Sequence, residues 1–250
     1  MKHMVCLAMA LSFGLVLALA PTRAHALPEL VFRATSSLDE PKTVKSIGGF
    51  VPRGADGTRP NQPPPNISLY NHAHGAATGM SRNDSGYVAT TARRSIAFDF
   101  LRLYLVNTGY IYHIRPSRNF YDVNGILLQF SPHATEAEFA ALGTIQWDQI
   151  IGWEEINFGV SAGFIANPDF RPQLYGPLVN EAGVNYELAG FPLNHPAWRQ
   201  QPWRTVDLCN IPPASPLGTC SIATDTAQWF GERAFHRNYP KKIVWLDDDL

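Results

Sequence analysis

The sequence has no long apolar run beyond its N-terminal segment, no dinucleotide-binding glycine motif and no metal-binding spacing of histidines. After residue 26 of the 250-residue chain, no stretch approaches the ~18 apolar residues of a membrane span, so this part is expected to be soluble. No G-x-G-x-x-G follows a predicted strand, which excludes a Rossmann-type nicotinamide site. The eight histidines are scattered, with no H-x-x-x-H pair beside a carboxylate, so we expect no metal.

The first residues predict export. A charged start precedes an uncharged run, Met4–Ala20, and Ala24 and Ala26 then form the small-residue pattern of a cleavage site. The segment therefore predicts a secretory signal at residues 1–26, cleaved before Leu27. The alternative is a transmembrane anchor, because the run would just span a slightly thinned bilayer.

The charge balance argues against nucleic acid as a partner. Lys2 and Arg23 lie in the predicted signal, so 18 of the 20 Lys and Arg residues would remain against 21 Asp and Glu, a formal charge of −3. A chain of this charge without a basic stripe does not neutralise phosphates, so no nucleic acid is expected.

Cysteine is scarce, with three residues in the chain, one of them Cys6 in the predicted signal. Cys209 and Cys220 are an even pair in an exported protein and enclose the turn-rich segment NIPPASPLGT. We predict a disulfide between them. Two buried thiols are the alternative.

Short strand-like and helix-like segments alternate through the first part of the chain. Strands are predicted at Leu30–Ala34, Gly86–Thr91, Tyr110–Ile114 and Ile150–Phe158. Helices are predicted from a capping box at Ser37–Glu40 to Gly48, at Ile67–Ala73 before Gly75, and at Ala92–Tyr104. Such mixed short elements indicate an α+β fold rather than a doubly wound sheet.

The composition changes after Gly159. Proline-rich, irregular stretches follow, which we interpret as chain wrapped over the first module. Beyond Cys220, the segment Ile222–Asn238 carries apolar residues on one face and predicts a C-terminal helix, which Pro240 ends.

Two glutamates, Glu136 and Glu138, lie two residues apart. In an extended chain both carboxylates would lie on one face, about 6 to 7 Å apart at the backbone. Close carboxylates can divide the work of glycosidic bond cleavage, one stabilising an oxocarbenium-like sugar and the other accepting a proton. A Glu-x-Glu pair by itself is more often a solvated strand edge.

Six segments give this pair a context. They are Leu30–Ala34 (LVFRA), Ser68–Gly75 (SLYNHAHG), Gly86–Thr91 (GYVATT), Phe130–Gly143 (FSPHATEAEFAALG), Ile151–Trp153 (IGW) and Ala189–Arg199 (AGFPLNHPAWR). Their order and spacing resemble the A chains of cholera toxin and heat-labile enterotoxin, which are arginine-directed mono-ADP-ribosyltransferases. The resemblance implies an ADP-ribosyltransferase fold and NAD as co-substrate.

The resemblance also implies roles for the two carboxylates. Glu138 is expected to be the catalytic glutamate, which holds the nicotinamide ribose and stabilises the oxocarbenium ion as nicotinamide leaves. Glu136 is expected to orient or deprotonate the guanidinium of the acceptor.

The NAD-binding residues implied by the resemblance begin at the first strand. Arg33, with a fixed charge and a planar donor fork, suits the pyrophosphate. Ala34, Thr35 and Ser36 would line the same cleft, although the family usually has Asp at the position of Thr35. His72 would lie near the NAD ribose.

One departure from the family concerns the second strand. Thr90 is an expected NAD-site residue, but the serine that normally helps fix the catalytic glutamate is Ala89 here. A neighbouring hydroxyl or water would have to substitute for it, or the rate would be lower. The segment Ala76–Ser85 corresponds to a mobile loop over the cleft in related toxins.

The resemblance implies an organisation and partners. Residues 27–208 would be the catalytic domain, 209–220 the disulfide loop and 221–250 a tail that docks into a pentameric, glycan-binding B subunit. The expected substrate is a host G protein alpha subunit of the stimulatory kind, with a host small GTPase as activator. The loop has no Lys or Arg for trypsin-like nicking, and the ending LDDDL is not a Lys-Asp-Glu-Leu signal.

Two other functions stay open from the sequence. A related toxin would modify another acceptor, such as a cysteine, or mainly hydrolyse NAD, and Glu136 argues against both. A secreted binding protein that keeps the fold without turnover is suggested by Ala89.

Overall fold

The computed structural model describes residues 27–55, 65–75, 83–175, 185–192 and 194–205. The predicted signal, the Cys209–Cys220 disulfide, the tail with its helix, and most of the loop at Ala76–Ser85 lie outside the described residues. No helix in the described ranges is long and apolar enough to cross a bilayer.

Nine strands and four α-helices make up the described regular structure. The strands are β1 (Val31–Thr35), β2 (Gly49–Phe50), β3 (Tyr87–Thr91), β4 (Gly109–Ile114), β5 (Phe120–Asp122), β6 (Glu138–Leu142), β7 (Ile145–Gln146), β8 (Ile150–Asn157) and β9 (Val160–Ala166). The helices are α1 (Pro41–Ser46), α2 (Leu69–His74), α3 (Arg94–Tyr104) and α4 (Val123–Leu127).

Seven strands form one antiparallel sheet in the order β5-β6-β3-β1-β4-β8-β9, and β2 pairs with β7 in a small second sheet. The predicted α+β class is confirmed. All four predicted strands and the predicted helices α2 and α3 are present, with ends that differ by one to three residues.

The helix α1 does not begin at the predicted capping box. It starts at Pro41, and Glu40 at its N-cap makes no side-chain capping bond. Proline supplies the φ of a first helical turn and lacks an N–H that would need a partner there, so Pro41 sets the start. Ser36 Oγ instead accepts a hydrogen bond from Leu38 N within the preceding turn.

The strand β9 lies where irregular chain was expected. It forms a hairpin with β8 through the turn at Phe158 and Gly159. Its residues are mostly exposed and include Gly163, so the alternation of apolar and polar residues that reveals a half-buried strand is missing. The irregular wrap begins after this hairpin.

The wrap is anchored by its aromatic residues. Phe191 and Trp203 are fully buried in the cluster that also holds α4 and part of α2. The indole Nε1 of Trp203 donates to the carbonyl of Ile126 at 3.0 Å. Burial of large aromatic side chains, with the polar atom satisfied, fixes this segment over the face that supports α2.

A buried carboxylate joins α3 to the sheet. Glu154 on β8 accepts hydrogen bonds from Arg94 Nε at 2.7 Å, Ser161 Oγ at 2.7 Å and His113 Nε2 at 2.8 Å. The hydrogen bonds from Arg94 above all, and those from the other two donors, lower the pKa of Glu154 to about 2. This contact holds the N-terminal end of α3 against β4 and β8.

Candidate active site

A cleft opens where β1, β3 and β6 meet α2. Its larger cavity, about 470 Å³, is lined in part by residues of the predicted site. These are Arg33, Ala34, Thr35, Ser36, His72, Glu136 and Glu138. Thr90 does not line it and instead faces a second cavity of about 250 Å³ beside α3.

Glu138 is the first residue of β6 and pairs in register with Thr91 on β3. Its Oε1 lies 2.9 Å from His72 Nε2. The other ring nitrogen, Nδ1, lies 2.7 Å from Ser85 Oγ, which accepts from Tyr87 N. A neutral His72 with its proton on Nε2 satisfies all these contacts, donating to Glu138 and accepting from Ser85.

The backbone around Glu136 is not extended as the sequence argument assumed. Glu136 ends a short 3-10 helix, Ala134–Glu136, and Ala137 adopts a left-handed conformation with φ of 46° before Glu138 enters the strand. We call residues 136–138 the glutamate turn. Thr91 Oγ1 donates to the carbonyl of Glu136 at 2.7 Å, and Ala92 N to that of Ala137 at 3.0 Å.

The glutamate turn nevertheless brings both carboxylates to one place. Glu136 and Glu138 line the larger and the smaller cavity alike. A left-handed alanine is a strained conformation for a residue with a Cβ. Its hydrogen bonds to β3 and α3 hold it there, so the pairing results from tertiary contacts rather than from strand alternation.

The two carboxylates have different surroundings. Within the described residues, Glu136 makes no side-chain hydrogen bond or ion pair, while Glu138 is held by His72. Partial desolvation in the cleft, and then the charge of Glu138, raise the pKa of Glu136 above its ordinary value. A carboxylate with a raised pKa accepts a proton more readily, as a general base requires.

Arg33 lies at the floor of the cleft. Its Nη1 donates to the carbonyl of Ala89 at 2.7 Å, and its guanidinium lies 5.1 Å from the ring centre of Phe50. Burial lowers the pKa of Arg33, against the opposing influence of Asp39. Arginine remains charged in proteins, so this is a fixed cation inside the cleft.

Two buried polar atoms on β1 have no partner in the described part of the chain: Nε of Arg33 and Oγ1 of Thr35. A buried polar atom without a partner costs free energy of the order of 1–3 kcal/mol. Both residues line the larger cavity. Their free polar atoms fit a polar ligand in that cavity.

The strand β3 contributes backbone as much as side chains. Thr90 Oγ1 donates to the carbonyl of Phe139 and so ties β3 to β6. Ala89, where the family has serine, supplies the carbonyl that holds Arg33. No hydroxyl at this position reaches Glu138, and His72 holds that carboxylate instead.

Sequence reasoning missed Ser85, which lies at the end of the segment expected to be a mobile loop. Ser85 is fully buried and contacts His72. It also missed Phe50, whose ring faces Arg33. No local pattern marks either contact, because both depend on how the loops cross the sheet. No group of three or more potential metal ligands occurs among the described residues.

The comparisons with known proteins agree with this site. The chain is 41% identical over 176 residues to the NAD(+)--arginine ADP-ribosyltransferase Chelt of Vibrio cholerae, across 69% of this chain and 29% of that one. The fold matches the heat-labile enterotoxin of E. coli, solved as a Val-to-Lys mutant, with a TM-score of 0.59 and 37% identity over 70% of this chain and 95% of that one. The class is therefore that of ADP-ribosyltransferases, enzymes that use NAD as a substrate.

A family assignment follows. The heat-labile enterotoxin alpha chain profile matches residues 13–241. The A chain of heat-labile enterotoxin IIA of Escherichia coli is 44% identical over 182 residues, which cover 70% of this chain and 68% of that one. The catalytic chain of the cholera enterotoxin of Vibrio cholerae is 37% identical over 209 residues, which cover 81% and 80%. The chain belongs to the heat-labile enterotoxin alpha chain family.

Proposed function

We propose that the chain is the catalytic component of a secreted toxin and transfers ADP-ribose from NAD to an arginine of a host protein. The observation that carries this proposal is the position of Glu138. Its carboxylate is held by His72 where two cavities meet, and Glu136 faces the same point. Two carboxylates at one junction can serve a donor on one side and an acceptor on the other.

The larger cavity is the proposed NAD site. Arg33 offers its unpaired Nε and its charge to the pyrophosphate, and Thr35 offers its unpaired hydroxyl. Ala34 and Ser36 line the same wall. His72 reaches the site through Glu138, which it orients.

The proposed reaction is a glycosyl transfer. The bond between ribose C1′ and the nicotinamide nitrogen breaks, and its electron pair leaves with nicotinamide, which departs neutral. The carboxylate of Glu138 stabilises the positive charge on the ribose as it develops. A guanidino nitrogen of the acceptor then bonds to C1′, and the proton it loses passes to Glu136 or to water.

The finer assignments are proposals that rest on family membership. The acceptor is the alpha subunit of a stimulatory G protein, the activator is a host small GTPase, and the partner is a pentameric glycan-binding B subunit. Residues 27–208 would be the catalytic domain, joined by the Cys209–Cys220 disulfide loop to a tail at 221–250. Mass spectrometry of the secreted chain before and after reduction tests both the signal cleavage and the disulfide.

The experiment that tests the activity separates transfer from hydrolysis. The reduced protein is incubated with labelled NAD and agmatine, a soluble guanidinium acceptor. Glu136→Ala is expected to keep nicotinamide release and lose transfer, and Glu138→Asp to lose both with the fold intact. Equal transfer by the two variants and the wild type would contradict the assignment.

Ala89 supports one further candidate, a binding protein without turnover. The hydrogen bond from His72 to Glu138 argues for a working carboxylate. NAD binding by calorimetry with no nicotinamide release would establish the binding protein and exclude the enzyme.

A further inference from the structure

Two cavities meet at the glutamate turn, and they differ in what else lines them. The larger cavity adds charged and polar groups such as Arg53 and His72. The smaller cavity adds Ile96 and Leu103 of α3, which do not line the larger one. At about 250 Å³, the smaller cavity lies below the ~300 Å³ at which sites for drug-sized ligands begin. It suits a single side chain better than a dinucleotide.

The wall that α3 contributes is apolar and open to solvent. Leu103 is 63% exposed and Tyr104 58% exposed. The rings of Phe100 and Tyr104 lie 5.0 Å apart between centroids, tilted by 41°. All three residues line the smaller cavity. Exposed apolar side chains grouped beside a polar cleft are typical of an interaction site.

The charge of the smaller cavity favours a cation. Its described lining includes the carboxylates of Asp99, Glu136 and Glu138 against the single cation of Arg33. Arg33 is turned to the carbonyl of Ala89, and Asp99 has only a long contact of 3.5 Å to Arg102 on the surface. A guanidinium meets both preferences of this cavity, since it pairs with carboxylates and is attracted to aromatic faces.

We propose that the smaller cavity is the acceptor site, and that it selects a protein arginine whose neighbouring residue is apolar. The arginine side chain enters between the glutamate turn and the Phe100–Tyr104 ring pair, and the neighbouring apolar side chain packs on Leu103. This proposal rests on the proposed transferase function, because it assigns the acceptor of the same reaction. It makes α3 the element that reads the acceptor, while β1 reads NAD.

The test compares two blocked tripeptide acceptors, Leu-Arg-Leu and Ser-Arg-Ser, with NAD hydrolysis measured in the same samples. The wild type is expected to prefer the leucine peptide by about tenfold in kcat/KM, the effect of partly burying one leucine side chain. Leu103→Arg is expected to remove this preference through a raised KM, while the KM for NAD in hydrolysis stays the same. Asp99→Asn, on the exposed surface of α3, is expected to weaken both peptides about threefold.

Val106→Arg is the matched control. Val106 is 87% exposed, lies just beyond α3 and lines neither cavity, so it adds the same charge nearby without entering the groove. It is expected to keep the preference. Thermal melts of all variants confirm folding.

Three results would overturn the proposal. In the first, the wild type transfers to both peptides equally, or Leu103→Arg keeps the preference. In the second, Leu103→Arg loses hydrolysis together with transfer while Val106→Arg keeps both, which would assign the α3 wall to NAD. In the third, the wild type releases no nicotinamide at all; this would refute the transferase itself, and the acceptor site with it.

Discussion

Two carboxylate groups in this molecule show opposite environments. Glu154 on β8 accepts hydrogen bonds from three side chains, and its pKa falls to about 2. Glu136 in the glutamate turn has no side-chain hydrogen bond among the described residues, and its pKa is raised. The first group is satisfied and holds α3 on the sheet. The second is left open, which is what a site that must accept a ligand and a proton requires.

The same contrast separates two arginines. Arg94 makes a two-pronged contact with Glu154, whereas Arg33 keeps a buried Nε without a partner in the described part of the chain. Folding satisfies polar groups wherever nothing else has to bind. The comparison thus marks the cleft, rather than the β8 cluster, as the place where a ligand completes the hydrogen bonding.

The largest effect is expected from Glu138→Gln. Removing the charge that faces the developing oxocarbenium ion is expected to lower transfer by about 10²–10³-fold. Rates of ADP-ribosyl-agmatine formation measure it. Glu155→Gln, a partly buried glutamate on β8 outside both cavities, is the control and is expected to keep its rate. A comparable loss in both variants would show that the charge at Glu138 is not special.

A smaller loss is expected when the support of Glu138 is removed. His72→Ala frees the carboxylate from its 2.9 Å contact, and misplacing a catalytic group costs up to about 100-fold. kcat is expected to fall more than the KM for NAD rises. In a double-mutant cycle with Glu138→Gln, the loss from His72→Ala is expected to disappear. Additive losses would mean that His72 acts on its own.

Glu154→Gln is expected to affect stability and spare the chemistry. Leaving the bonds from Arg94 and His113 weakened should lower the free energy of unfolding by about 2 kcal/mol, measured by urea denaturation. The transfer rate per folded molecule should stay near that of the wild type. A specific loss of activity at full stability would place Glu154 in the site instead.

The pH dependence should also separate the two carboxylates. Because the pKa of Glu154 is lowered from 4.5 to about 2, its contribution to stability is complete above about 4.5 and is lost as the pH falls toward 2. Glu154→Gln should therefore flatten the acid end of the stability curve by one proton. A curve of unchanged slope would contradict this.

The smallest expected effect concerns the acid limb of the transfer rate. The pKa of Glu136 is raised by desolvation and by Glu138, so transfer should fall as the pH drops toward a value above the ordinary 4.5. Glu136→Gln should remove this limb from what transfer remains, while the limb for NAD hydrolysis is retained. The same limb in both variants would assign the titration to another group.

The residues that the sequence could predict are those that carry a local pattern. The strand at Val31–Thr35 and the helix with Ser68 at its N-cap follow from apolar period and capping, and the order of short motifs indicated the family. Ser85, Phe50 and the left-handed Ala137 could not be predicted. Their positions depend on contacts between segments far apart in the chain, such as the bond from Thr91 to the carbonyl of Glu136.

The account is tested most directly by mass spectrometry of agmatine after incubation with NAD and the reduced wild-type protein, in parallel with Glu138→Asp. We expect an ADP-ribosyl-agmatine adduct with the wild type and almost none with Glu138→Asp, which should still fold and bind NAD. An adduct in equal yield from both proteins, or nicotinamide release by the wild type without any adduct, would contradict the assignment of this cleft to arginine-directed transfer.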